Sequence, residues 1–179
     1  TNNIRSLWDA RDYLDQDLVL LEADVAFDAA VVGALFAQSG SSAAVAPYKP
    51  PLSGTVVRRN GAGQATSFVL GAEQGLHFVT KDTFKTVNIY VLREQLLREQ
   101  FLPRLSNAIA AGRVNEYYET ILRDCVADPR AEVDIAAVDV SASRWSEIDD
   151  DRDLDAAEFL FLDRDAQYDR VQQLHGAYW

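Results

Sequence analysis

The sequence is poor in sulfur, since it contains a single cysteine, Cys125, and no methionine. One cysteine excludes a disulfide within the chain and a zinc site built on cysteines. No stretch approaches the ~20 consecutive apolar residues that a membrane-spanning helix needs, and the first residues lack the pattern of a secretory signal. We therefore expect a cytoplasmic protein that does not enter a membrane.

Positive charge is also scarce, because 17 Lys and Arg face 28 Asp and Glu and leave a formal net charge of −11. Such a balance argues against nucleic-acid binding through a broad basic face. The two histidines, His77 and His175, are far apart and lack the spacing of paired ligands. The sequence contains no P-loop, no dinucleotide fingerprint and no sign of a Ser-His-Asp triad.

Both ends of the chain suggest a portion of a longer protein. No initiator Met precedes Thr1, and the chain ends on Tyr178 and Trp179, although termini are usually polar and frayed. We expect one domain over residues 1–162 and a polar connector over 163–179 that leads to a downstream domain. Missing strands would expose an apolar patch, so self-association or contacts with neighbouring domains are expected.

Strand-like and helical patterns alternate along the chain. Apolar runs predict strands at 18–21, 43–48, 87–92, 133–140 and 145–148, and helices are predicted at 3–14, 28–39, 94–101, 114–126 and 154–162. A turn signal at 60–63 predicts a hairpin between 55–57 and 66–70. This order predicts an α/β three-layer sandwich with a mixed, mostly parallel sheet. Roughly five strands are few for a doubly wound domain, so its first strand and phosphate-binding turn are expected to be absent.

Two aspartates follow apolar strand-like runs, Asp24 after 18–21 and Asp149 after 145–148. If the two strands are neighbours, both carboxylates meet at one sheet edge, about 4 to 7 Å apart, and suit Mg²⁺, which takes the rest of its shell from water and substrate phosphates. The alternative is that each aspartate caps the helix after it, and we favour capping for Asp150 and Asp151.

Lys85 and Asn88 stand at the start of the strand predicted over 87–92. A lysine entering a carboxylate-rich cleft would bind a phosphate or phosphonate as a compact charge. The alternative is a solvated strand-edge lysine. Asn88 would hydrogen-bond substrate or satisfy a strand end. Gly54 and Thr55 follow a proline-rich loop, where a glycine either lets backbone approach a ligand or makes an ordinary turn.

Two further segments have mixed interpretations. Asn3 precedes a predicted helix and either contacts substrate or belongs to a helix cap. Asn115, Tyr117, Tyr118 and Glu119 combine aromatic and acidic groups within one predicted helical turn. Such a set would hold a cationic head group by cation–π contact and charge, or it is the core and rim of an amphipathic helix.

Six segments then occur in one order: TNNIRSLW at 1–8, LLEADV at 20–25, GTVV at 54–57, KTVNIY at 85–90, NEYYE at 115–119 and WSEIDD at 145–150. Together they resemble the sugar-phosphate-type nucleotidyltransferases, in the branch of phosphocholine and phosphonate cytidylyltransferases. The resemblance covers about residues 1–162.

The resemblance implies the fold of the nucleotide-diphospho-sugar transferases with its N-terminal part missing. It implies Mg²⁺ held by Asp24 and Asp149, and attack of an acceptor phosphate or phosphonate oxygen on the α-phosphate of an NTP, with CTP expected. Asp24, Asp149 and Lys85 are then the expected catalytic residues. The expected substrate-binding residues are Asn3, Gly54, Thr55, Asn88, Tyr117 and Glu119. The family's Gly-rich nucleotide loop is absent here, so the chain alone is expected to be incomplete as an enzyme.

The segment 171–179 resembles the junction in fused proteins of this branch, where a pyridoxal-phosphate aminotransferase domain of the histidinol-phosphate aminotransferase type follows. Pyridoxal phosphate is therefore expected only with such a downstream domain. The alternative function is a non-catalytic docking or nucleotide-binding module fused to that aminotransferase.

Overall fold

The computed structural model describes residues 2–49 and 52–176. The predicted proline loop at Pro50 and Pro51 and the predicted aromatic end at Tyr178 and Trp179 lie outside the described residues. The strands are β1 (Leu18–Leu21), β2 (Val25–Phe27), β3 (Ser41–Pro47), β4 (Val56–Arg59), β5 (Ala65–Val69), β6 (Phe84–Leu92), β7 (Ile135–Asp139) and β8 (Trp145–Glu147).

The helices are α1 (Asn3–Asp9), α2 (Ala29–Phe36), α3 (Glu94–Leu96), α4 (Leu102–Ala110), α5 (Glu119–Ala127), α6 (Asp151–Phe161) and α7 (Arg164–Gly176). A π-helical turn at Leu97–Phe101 joins α3 to α4, with Pro103 in the first turn of α4. None of the described helices combines the length and the apolar content that crossing a membrane requires.

Six strands form the central sheet in the order β5-β4-β6-β3-β7, with β1 also paired to β6, and β2 and β8 form a separate ribbon. The predicted mixed sheet is confirmed, but its mostly parallel character is wrong. Among the described residues only β3 and β7 pair in parallel, and the other pairs of the central sheet are antiparallel. Parallel neighbours need a crossover connection. In the described residues between β3 and β6, no helix is longer than a single turn.

The sheet is buried on both faces, which confirms the three-layer arrangement. Alternate side chains of β6 point to opposite sides. Tyr90 and Leu92 pack with residues of α1, α4 and α5, whereas Ile89 and Val91 pack with α2. A strand buried on both faces reads as a continuous apolar run, as β6 does from Ile89 to Leu92.

Several element boundaries differ from the sequence-based prediction. β1 is less buried than its apolar run predicts: its first three residues are half-buried and Leu21 is exposed, because β1 pairs only with β6 among the described strands. Residues 114–118 precede α5 instead of opening it, since the backbone carbonyls of Val114 and Glu116 accept hydrogen bonds from the start of α1. Most of the predicted polar connector is helical, as α7.

Of three aspartates predicted as helix caps, only Asp150 caps its helix with its side chain. Asp28 stands at the N-cap of α2, but its carboxylate caps no backbone N–H there and instead accepts two hydrogen bonds from the Arg144 guanidinium, at 2.9 and 3.0 Å. Asp150 is the N-cap of α6 and accepts from the N–H groups of Arg152 and Asp153. The prediction that Asp151 caps is wrong, because Asp151 is already the first helical residue and a cap precedes it.

Candidate active site

A gap along one edge of β6 opens a cleft. β4 pairs with Phe84 and Lys85, β1 pairs with Ile89 to Leu92 farther along, and β3 covers the opposite edge. Between the two pairings, Asn88 has a positive φ of 58°, a conformation that side-chain-bearing residues seldom adopt. The neighbouring strands thus diverge at this point, and other segments of the chain line the space between them.

The cleft has a volume of about 1090 Å³. It is lined by one side of α1, the end of β1 and residues 22–24, residues 53–55 and 70–72, two positions of β6, residues 117–119, and Glu147 and Asp149 at and after the end of β8. Five carboxylates and one ammonium group line it: Glu22, Asp24, Glu119, Glu147, Asp149 and Lys85. The cleft therefore favours ligands that carry or bring positive charge.

Asp24 and Asp149 both line the cleft and are exposed. The ribbon brings them together, because β2 and β8 are antiparallel with Val25 opposite Glu147, and the Ile148 N–H donates to the Asp24 carbonyl at 2.8 Å. Sequence reasoning placed Asp24 at the end of β1 beside the strand of Asp149. The strand that pairs with β8 is β2, which begins directly after Asp24. The predicted separation of the carboxylates stays a prediction.

Lys85 lies in the floor of the cleft and is almost completely buried, which rules out a solvated edge lysine. Its ammonium donates to Glu147 Oε1 at 2.6 Å and to the Thr86 carbonyl at 2.8 Å. Gly54, with φ of 101°, lies directly against it: a Cβ at Gly54 would be 3.1 Å from Lys85 Cε. Gly54 is thus required both for its backbone conformation and for the room it leaves.

Asn88 links Glu22 and Glu147, the two glutamates that stand two positions before Asp24 and Asp149. Its Nδ2 donates to Glu22 Oε2 at 2.8 Å and to Glu147 Oε1 at 2.9 Å, while its Oδ1 accepts from Thr86 Oγ1 at 2.8 Å. Asn3 adds a second link, since its Nδ2 donates to Glu22 Oε1 at 3.1 Å and its Oδ1 accepts from the Tyr118 N–H at 2.9 Å. These amides tie α1, β1, β6, β8 and the start of α5 into one network.

Glu119 lies in the first turn of α5 with only 4% of its surface exposed. Its Oε2, and the hydroxyls of Tyr90 and Tyr118, have no hydrogen-bond partner among the described residues. The pKa of Glu119 is raised to about 7, mainly by burial and to a smaller extent by the charge of Glu22. Burial also raises the pKa of Glu22, together with the charges of Asp24 and Glu147.

The residues predicted from the sequence as catalytic or substrate-binding all line this one cleft. Besides Glu119, they are Asp24, Asp149, Lys85, Asn3, Gly54, Thr55, Asn88 and Tyr117. Tyr117 is exposed to solvent. Tyr118 is buried, and its ring is nearly perpendicular to that of Tyr90, with 5.9 Å between the ring centroids.

Sequence reasoning missed Glu22 and Glu147 as site residues. Both precede a predicted aspartate by two positions, so the pattern Glu-x-Asp occurs at 22–24 and again at 147–149. That repeated spacing was the available signal. Gly71 was also missed as a residue of the cleft. A Cβ at Gly71 would lie 3.5 Å from the backbone of Gly54.

Within residues 2–49 and 52–176, no group of three or more His, Cys, Asp or Glu side chains is arranged to hold a metal ion. The donor set of Asp24 and Asp149 nevertheless fits a hard cation that completes its shell with water and phosphate oxygens. No hydrogen bond to either carboxylate side chain occurs in the described part of the chain.

No family model matches the chain. It is 40% identical over its whole length to CMP-5'-(3-aminopropyl)phosphonate synthase of Streptomyces rubellomurinus (strain ATCC 31215), but spans only 28% of that protein. Among solved structures it is similar to CTP:phosphocholine cytidylyltransferase from Streptococcus pneumoniae, with a TM-score of 0.66, 14% identity, and coverage of 90% of this chain and 64% of the other. The inositol-1-phosphate CTP transferase from T. maritima gives a TM-score of 0.63 and 15% identity, over 89% and 61% of the two chains.

These comparisons confirm the resemblance drawn from the six segments, and they confirm the nucleotidyltransferase-like fold.

Proposed function

We propose that this chain forms the acceptor side of the active site of a metal-dependent nucleotidyltransferase. The proposal starts from its resemblance to the cytidylyltransferases and from its nucleotidyltransferase-like fold. The full protein would transfer a nucleotidyl group from CTP to a small phosphate or phosphonate and release pyrophosphate. The observation that carries the proposal is that Asp24 and Asp149 line one cleft whose floor contains the ion pair of Lys85 and Glu147. Residues 1–162 would belong to the transferase domain.

Asp24 and Asp149 are the residues that would hold Mg²⁺. When bound, the ion would neutralise charge on the triphosphate and the acceptor as the transition state forms. Both aspartates are exposed to the cleft and free of side-chain partners in the described residues. A carboxylate without an internal partner gives up little when it binds a cation, because it has no protein hydrogen bond to break.

Lys85 and Asn88 would act mainly on the geometry of the site. The Lys85 ammonium is buried and already neutralised by Glu147, so it holds that glutamate and the end of β8 in place. Asn88 fixes Glu22 and Glu147 at one nitrogen atom. The network thereby fixes Glu22 and Glu147, each two positions before one of the aspartates. Electrostatic catalysis requires such preorganisation. The predicted contact of Lys85 with a phosphate stays a prediction.

The choice of a phosphonate among the acceptors is supported by the relative at 40% identity, whose name describes a CMP-linked phosphonate. Because the chain covers only 28% of that protein, we place the remaining catalytic groups and any downstream aminotransferase domain outside this chain. Pyridoxal phosphate would belong to that downstream domain.

The test is pyrophosphate release by the full-length protein. Each of the four common NTPs is combined with phosphocholine, 2-aminoethylphosphonate, 3-aminopropylphosphonate and 2-hydroxyethylphosphonate, with Mg²⁺ and after its removal by EDTA. We expect release with CTP and at least one phosphonate, loss in EDTA, and recovery on addition of Mg²⁺. If no combination releases pyrophosphate, the docking-module alternative replaces the enzyme. If release persists unchanged in EDTA, the role of Asp24 and Asp149 as metal ligands is wrong.

A further inference from the structure

Glu119 is a buried carboxyl group of the cleft with an oxygen that lacks a hydrogen-bond partner. Its side chain lines the cleft with 4% of the residue exposed, and Oε2 has no hydrogen-bond partner among the described residues. A buried acceptor without a donor is costly, and a buried carboxylate more so than a neutral group. A protein keeps such a group at low cost only if a proton, a water or a ligand supplies the missing donor.

The cleft itself has few donors to spare. The amide nitrogens of Asn3 and Asn88 and the ammonium of Lys85 already donate to Glu22 and Glu147. The nearby polar atoms without a partner among the described residues are Glu119 Oε2 and the Tyr118 and Tyr90 hydroxyls, and neither hydroxyl donates to Glu119 Oε2. Five carboxylates against one ammonium also leave an excess of negative charge. A ligand that fits this end must therefore bring positive charge and N–H groups.

Building on the proposed nucleotidyl transfer, we propose that Glu119 binds the primary ammonium group of an ω-aminoalkyl phosphonate or phosphate acceptor. A primary ammonium offers three N–H donors, so it can bond to Glu119 Oε2 and still reach a second oxygen such as the Tyr118 hydroxyl. The phosphonate end of the acceptor would lie toward Asp24 and Asp149, which line the same cleft.

The same geometry disfavours a quaternary ammonium such as choline. That group has no N–H to offer, so it would leave Glu119 Oε2 unsatisfied in a buried place. Quaternary ammonium groups are bound instead by the faces of several aromatic rings. Here Tyr118 turns its ring edge-on to Tyr90 inside the core, and Tyr117 is the one aromatic side chain exposed among the described cleft residues. The site is thus built for hydrogen bonding.

The test compares three acceptors that differ only at the amine: 3-aminopropylphosphonate, its N,N,N-trimethyl derivative and propylphosphonate. We expect the full-length wild-type protein to use the primary amine with a kcat/KM at least about tenfold above the other two, mostly through KM. Charge-assisted hydrogen bonds of this kind correspond to about 10–100-fold in affinity. In Glu119→Gln that preference should disappear, so that the variant uses 3-aminopropylphosphonate and propylphosphonate equally well.

Because the readout compares two acceptors within one variant, a general loss of activity or of folded protein cancels from the comparison. Calorimetric titration of 3-aminopropylphosphonate gives a second readout without turnover, and we expect the same loss of affinity in Glu119→Gln. Equal use of the three acceptors by wild type, or an amine preference that survives in Glu119→Gln, overturns the inference and leaves nucleotidyl transfer intact. If no acceptor of any class releases pyrophosphate, the proposed function fails and this inference with it.

Discussion

The cleft has a rim and a floor that are organised in opposite ways. The rim, Asp24 and Asp149, is exposed and has no side-chain partner in the described residues. The floor, formed by Lys85, Asn88, Glu22, Glu147 and Glu119, is buried or half-buried, and all but Glu119 bond to one another. The difference teaches that burial decides the role: the buried groups satisfy each other, with Glu119 as the exception, whereas the exposed groups at the rim remain free for a ligand.

The largest effect on stability is expected where the floor loses its only ammonium. Lys85→Met leaves the Glu147 carboxylate without its partner at 2.6 Å, and breaking a buried pair from one side costs about 3–4 kcal/mol of unfolding free energy. Urea denaturation followed by tryptophan fluorescence measures the change.

The matched control for that change is an ion pair of similar length in solvent. Arg5 and Asp9 are 2.8 Å apart with about half of each side chain exposed, so Arg5→Met should cost less than about 1 kcal/mol. Equal losses in the two variants would mean that the floor is not the stabilising part of the cleft.

Glu119→Gln is expected to stabilise the protein, and more at high pH. The pKa of Glu119 is raised to about 7 from 4.5, so its favourable neutral form persists at low pH and is lost as pH rises through about 7. Gln has no charge to bury, so the gain from the substitution should grow by roughly 2–3 kcal/mol between pH 5 and pH 8.

Thermal or urea unfolding at both pH values checks this sign. A gain that is flat with pH, or a loss at pH 8, would show that Glu119 is ionised and satisfied in the fold. If Glu119→Gln both stabilises the protein and abolishes the amine preference, then Glu119 lowers the stability of the fold for the sake of function.

Gly54→Ala and Gly63→Ala separate backbone strain from crowding of the floor. Both glycines have positive φ, 101° and 80°, so either alanine costs about 1–2 kcal/mol from backbone strain. A Cβ at Gly63 would meet nothing within 4 Å in the described structure, whereas one at Gly54 would press on Lys85 Cε at 3.1 Å. Overpacking should add about 1 kcal/mol more for Gly54→Ala in a denaturant titration. Equal costs for the two would indicate that Lys85 moves aside freely.

The rim was easier to anticipate from sequence than the floor. Asp24 and Asp149 stand beside apolar runs, and polar residues at strand ends are a local signal. The partnership of Lys85 with Glu147 joins residues 62 positions apart, and nothing local predicts it. The three layers followed from the order of elements, but strand direction did not, because antiparallel pairing of β6 with its three neighbours is a tertiary choice.

The assignment of Asp149 to the reaction centre is tested most directly by pyrophosphate release by the full-length Asp149→Asn protein, with Asp151→Asn as its control. Asp149 lines the cleft, whereas Asp151 is a residue of the first turn of α6 that does not line it. Loss of a group that stabilises developing charge commonly costs about 10²–10³-fold in rate. We expect that loss for Asp149→Asn with every acceptor that works, and less than about twofold for Asp151→Asn. Wild-type turnover by Asp149→Asn would contradict the assignment of the rim as the reaction centre.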